Sequence, residues 1–129
     1  MIIRINNKSK HDTYHKGLSI ERIAAQYLQT KGITILDYNF HSIYGEIDII
    51  CRDQSNIIFV EVRYRKNIQY GLPVETINYT KQKKIILTAQ YYLSQNDWTI
   101  NIPCRIDVIS ISGNISNANI EWIQNAINA

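Results

Sequence analysis

The sequence contains no apolar run near the roughly 18 residues that a membrane-spanning helix needs. Its opening residues, MIIRINNKSKHDTYHKG, hold no continuous apolar core of signal-peptide length. A cytoplasmic protein with no membrane partner is the expectation. Cysteine is scarce. Cys51 and Cys104 lie far apart in the chain, with no Cys-x-x-Cys spacing. That argues against a disulfide framework or a zinc site and for two buried free thiols. Five Gly and two Pro are too few for a fibrous or low-complexity chain. His11, His15 and His41 show no ligand spacing.

What is present suits one packed domain: 129 residues, 45% of them apolar, with no internal repeat. Residues 1–15 are polar and aperiodic and read as a flexible arm. Residues 16–129 read as a single domain. The net charge of +3 permits a polyanionic partner without requiring one. Its placement is more informative, because Arg63, Arg65 and Lys66 form one cluster and Lys81, Lys83 and Lys84 another.

Leu18, Ile20, Ala24, Tyr27 and Leu28 recur at helical spacing from Gly17, and Gly32 stands where that helix would close. Short strands follow at 33–38, 45–52 and 56–64, the last two joined by the turn residues 53–56. A loop with Gly71 and Pro73 leads to a second helix at about 79–95, with Thr80 as its cap. A strand at 104–111 precedes a Gly113-Asn114 turn. Residues 119–123 suit an edge strand and 122–129 a short helix. The order predicts an α/β domain with a mixed sheet and covering helices.

The stretch GEIDIICRDQSNIIFVEVRYR, residues 45–65, raises the functional question. A hairpin turning at Gln54-Ser55 sets Asp48 opposite Glu61 and Glu46 opposite Arg63. Opposed like charges cost up to about 1 kcal/mol, and desolvation adds to that. Both faces of these strands are otherwise largely apolar, as in central strands covered on both sides. A shared divalent cation would remove the repulsion, because Mg²⁺ takes two carboxylates and completes its shell with water. Arg63, two residues beyond Glu61, points the same way and would reach a phosphate. This set suits metal-assisted phosphodiester hydrolysis. A wet hairpin face with a Glu46–Arg63 pair is the plainer alternative. Glu21, at the edge of the first helix's apolar stripe, would serve as a third carboxylate or as ordinary surface. Lys81 and Lys84, three apart on one helix, suit phosphate contacts. Arg105 and Asp107 share a strand face and read as a structural ion pair.

The strings GEIDII, FVEVRYR, KQKK with AQYYL, and CRIDVISI resemble, in this order, the bacterial YraN-type family. That family in turn resembles the archaeal Holliday junction resolvases of the PD-(D/E)XK superfamily. The resemblance runs from about Gly17 to Ala126. It implies a restriction-endonuclease-like mixed sheet and a metal-dependent nuclease acting on DNA, including branched DNA, with RNA also open. By it, Asp48 and Glu61 bind Mg²⁺ or Mn²⁺, Glu21 positions metal or water, and Gln82 helps align the site. The basic residues Arg63, Arg65, Lys66, Lys81 and Lys84 would supply contacts to nucleic acid, and the resemblance implies a two-fold homodimer. Arg63 occupies the superfamily's lysine position. Arginine keeps its proton at neutral pH and cannot act as a base. The departure therefore also suits a nucleic-acid-binding module with little catalysis.

Overall fold

The computed structural model describes residues 12–65 and 77–128, with side chains from Ile20 onward. Helix α1 spans Asp12–Thr30 and strand β1 Thr34–His41. Strands β2, Glu46–Arg52, and β3, Ile57–Arg65, form the hairpin of the acidic stretch. Helix α2 is Tyr79–Ser94, and strands β4, Cys104–Ser112, and β5, Asn119–Ile127, complete the order. The five strands form one sheet in the order β1-β2-β3-β4-β5. Among the described residues only the β3–β4 pair is parallel, with α2 in the crossover. The mixed sheet with flanking helices is the expected α/β class.

Each helix covers one face of the sheet. On the α1 side, Ile20, Ala24, Ala25 and Leu28 pack on Ile49, Cys51, Ile58, Val60, Ile109 and Ile111. On the α2 side, Ile85, Ala89 and Tyr92 pack on Ile50, Ile57, Phe59, Ile106 and Val108. Strands β2, β3 and β4 are therefore buried on both faces, which explains their near-continuous apolar runs.

The hairpin register is as expected: Ile49 pairs with Val60 and Ile50 with Phe59. Asp53 closes its turn, its Oδ1 accepting from Ser55 N at 2.8 Å and Asn56 N at 2.7 Å.

Four expectations need correction. Helix α1 begins at Asp12, so residues 12–15 of the expected arm are helical. Residues 1–11 lie outside the described residues, as do Lys66, Gly71 and Pro73. The cap of α2 is Asn78, whose Oδ1 accepts from Lys81 N at 2.8 Å, and Thr80 lies inside the first turn. Cys51 is buried as expected, but Cys104 is exposed at the start of β4.

The tail is strand rather than helix through Ile127. Ile120 and Trp122 pack on the α1 side, whereas Ile123, Ala126 and Ile127 pack on the α2 side. A register shift lies between, with Val108 paired to Ile123 and Ile106 to Ile127, and Asn125 takes φ 52°. The bulge changes the phase of the alternation. Apolar residues then recur at three and four, which imitates a helix in the sequence. Among the described residues no helix is long and apolar enough to cross a membrane.

Candidate functional site

The site forms where β2 and β3 part. Their ladder runs through Ile49 and Val60. Beyond it, the Val62 N–H donates to Asp48 Oδ2 at 2.8 Å. The side chain thus replaces a ladder bond and is fixed in orientation. Glu61 stands beside it on the central strand and is 5% exposed. Two cations close on the same oxygen: Arg63 Nη1 lies 3.8 Å and Lys81 Nζ 3.9 Å from Glu61 Oε2. Arg63 comes from β3 and Lys81 from the first turn of α2.

Burial, and then the charge of Asp48, push the Glu61 carboxyl up to about 7. Lys81 and Arg63 pull it down and do not offset that rise. Asp48 is also raised, first by burial and further by Glu46, against the lowering effect of the Val62 hydrogen bond and the two cations. Both acids are held above their ordinary range despite the two cations beside them, so further positive charge would be welcome there. Among the described residues no cluster of three or more His, Cys, Asp or Glu side chains is set to hold a metal. The pair offers two oxygen ligands of the hard kind that Mg²⁺ and Mn²⁺ accept, leaving positions for water and phosphate oxygen. The donor chemistry fits such an ion.

The other site residues divide. Glu21 is half-buried on α1, which covers the opposite face from α2. The charged groups that act on Asp48 are Glu46, Lys81 and Arg63, and Asp48 joins them in acting on Glu61. Gln82 turns its amide to the chain just ahead of α2, Nε2 donating to Ile77 O at 2.9 Å. Arg65 is half-buried at the end of β3, and Lys84 is exposed on α2. Glu46, expected opposite Arg63, lies beyond the β2–β3 ladder and meets His41 across the β1–β2 pair, with Nδ1 and Oε1 3.3 Å apart. Arg105 and Asp107 form the expected ion pair, Nε to Oδ1 at 3.0 Å.

Sequence reasoning missed the turn Ser42-Ile43-Tyr44-Gly45. Gly45 takes φ +156°, and a Cβ there would stand 3.4 Å from Lys84 Cβ. Ser42 Oγ lies 3.1 Å from Thr88 Oγ1 on α2. The glycine that opens GEID thus lets the β1–β2 turn close on α2, beside the acids. The signal was the glycine three residues before Asp48, which periodicity does not read.

A five-stranded mixed sheet between two helices, one of them in a parallel crossover, defines a restriction-endonuclease-like α/β protein. Residues 20–111 match the family described as "Uncharacterised protein family UPF0102". A UPF0102 protein of Vibrio parahaemolyticus serotype O3:K6 is 45% identical over 111 residues, covering 86% of this chain and 90% of that protein. One from Neisseria meningitidis serogroup C is 42% identical over 123 residues, covering 95% and 97%. One from Chromohalobacter salexigens is 37% identical over 123 residues, covering 95% and 98%. The chain belongs to the UPF0102 family, the YraN type.

Proposed function

We propose that this protein is a divalent-metal-dependent nuclease acting on DNA, with Asp48 and Glu61 holding Mg²⁺ or Mn²⁺. The observation that carries this reading is the buried carboxylate pair on a parted central hairpin, each acid raised by burial and Glu61 raised further by Asp48. A cation there supplies Lewis-acid polarisation of a phosphoryl oxygen. The chain's own groups do the rest. Asp48 is held by the Val62 amide, so the pair is preorganised. Arg63 and Lys81 carry positive charge to the phosphate and offset the charge that develops on it. Arg63 keeps its proton and acts only through charge and hydrogen bonding. Lys84 extends the cationic surface along α2 for the flanking phosphates, as does Arg65 at the end of β3, and Lys66 follows it in the sequence. Branched DNA and a two-fold homodimer follow from the likeness to the resolvases, and RNA is an alternative substrate.

A second reading is a nucleic-acid-binding module that cuts poorly, favoured by arginine at position 63. Cleavage of linear and branched DNA in Mg²⁺ separates the two. The nuclease reading expects products from the wild type and none above background from Asp48→Asn or Glu61→Gln. A DNA shift that weakens steadily with salt, with no products at any metal concentration, selects the binding module. Neither a shift nor products sinks both.

A further inference from the structure

A cavity of about 350 Å³ opens beside the carboxylate pair, lined by the β1–β2 turn and the first turns of α2. Its walls include Ile43, Tyr44, Glu46, Lys81 and Lys84. Glu46 and Lys81 belong to both places, since they also act on Asp48 and Glu61. Lys81 links the two places, lining the cavity while its Nζ lies 3.9 Å from Glu61 Oε2.

The turn itself is apolar at its tip, with Ile43 92% and Tyr44 41% exposed. It is also firmly held. Ser42 and Gly45 exchange backbone hydrogen bonds of 2.8 and 3.3 Å. Ser42 Oγ accepts from Tyr44 N at 3.0 Å and meets Thr88 on α2. Gly45 permits the close approach to Lys84. A well-anchored turn that presents an isoleucine and a tyrosine to water gains nothing in the free protein. It gains when a flat apolar group covers it.

We infer that this turn and cavity hold one unstacked nucleotide of a single-stranded segment, next to the phosphate cut at Asp48 and Glu61. The inference rests on the nuclease reading and specifies its substrate. Tyr44 stacks on the base, Ile43 packs against its edge, and Lys81 and Lys84 take the adjoining phosphates. A base inside a paired duplex has both faces covered by its neighbours, so a protein ring reaches only a base that has left the stack. Cations beside an apolar aromatic tip are the arrangement of single-strand sites, where stacking adds to phosphate contact. A cavity of this size lies within the range of small-ligand sites.

The test is fluorescence anisotropy at fixed salt, in chelator, with a short labelled single strand and with the same sequence as a blunt duplex. The proteins are the wild type, the double variant Ile43→Ser/Tyr44→Ala, and Tyr44→Phe. Both positions are exposed, and thermal melting checks that each variant folds. The double variant is expected to lose roughly tenfold or more on the single strand and little on the duplex. Tyr44→Phe, which keeps the ring, is expected to bind as the wild type does. Unchanged single-strand affinity in the double variant overturns this inference alone, leaving the tip for a protein partner. Equal losses on both DNAs overturn it too. A wild type that binds neither DNA removes the nucleic-acid reading and this inference with it.

Discussion

Asp107→Ala lowers the unfolding free energy by about 3–5 kcal/mol, a fall in melting temperature of roughly 10–20 °C. The residue is fully buried between β4 and β5 and is satisfied on several sides. Its oxygens accept from Arg105 Nε at 3.0 and 3.1 Å, from Trp122 Nε1 at 2.9 Å and from Asn125 N at 2.8 Å. Alanine strands a guanidinium, an indole N–H and a backbone N–H together, and each buried orphan carries its own desolvation cost. The loss also releases the bulge at Asn125, which holds β5 in phase on both sides of the shift. Arg105 has a second acid at hand, since Asp53 Oδ2 lies 3.8 Å from its Nη1. That contact is half-exposed and restores little. Chemical denaturation checks the figure, and a loss under about 1 kcal/mol would show the hub to be dispensable.

The second large effect has the opposite sign. Glu61→Gln stabilises the metal-free protein at pH 8 by on the order of 2–3 kcal/mol. In the folded chain the Glu61 carboxyl sits at about 7, against an ordinary 4.5. The neutral form is therefore favoured by folding. Its contribution is fully present below about pH 4.5 and is lost as pH rises through about 7. At pH 8 the wild type carries an ionised, buried Glu61 beside Asp48, and glutamine removes that burden. Near pH 4 the two proteins are expected to melt alike. The proton belongs to the pair rather than to one acid, so the transition is broad. Mn²⁺ is expected to raise the wild-type melting temperature at pH 8 and to leave Glu61→Gln nearly unmoved. Melting curves across pH, with and without Mn²⁺, check both halves. A variant less stable than wild type at pH 8 would mean that Arg63 and Lys81 already satisfy Glu61.

Much of this was legible in the chain because local chemistry and global fold agree. The hairpin register followed from the turn residues at 53–56 and from uninterrupted apolar runs as far as Ile49 and Val60, beyond which the strands part and Asp48 takes the Val62 amide. The Arg105–Asp107 pair was visible because residues two apart share a strand face. The tail was misread because the bulge at Asn125 gave a strand the apolar spacing of a helix. Trp122 and Asn125 on Asp107 were invisible, since that contact depends on how β5 returns to β4. Lys81 reaching Glu61 depends on how α2 crosses the sheet, so spacing suggested only a phosphate contact. Glu21 was placed by its position on an amphipathic helix, and it is half-buried on α1.

Calorimetric titration of Mn²⁺ and Mg²⁺ into the wild type and into Asp48→Asn, with and without DNA, tests whether Asp48 and Glu61 hold a divalent cation. Saturable binding to the wild type that disappears in the variant is expected. Silence from the wild type in both conditions, or binding that survives Asp48→Asn undiminished, would contradict it.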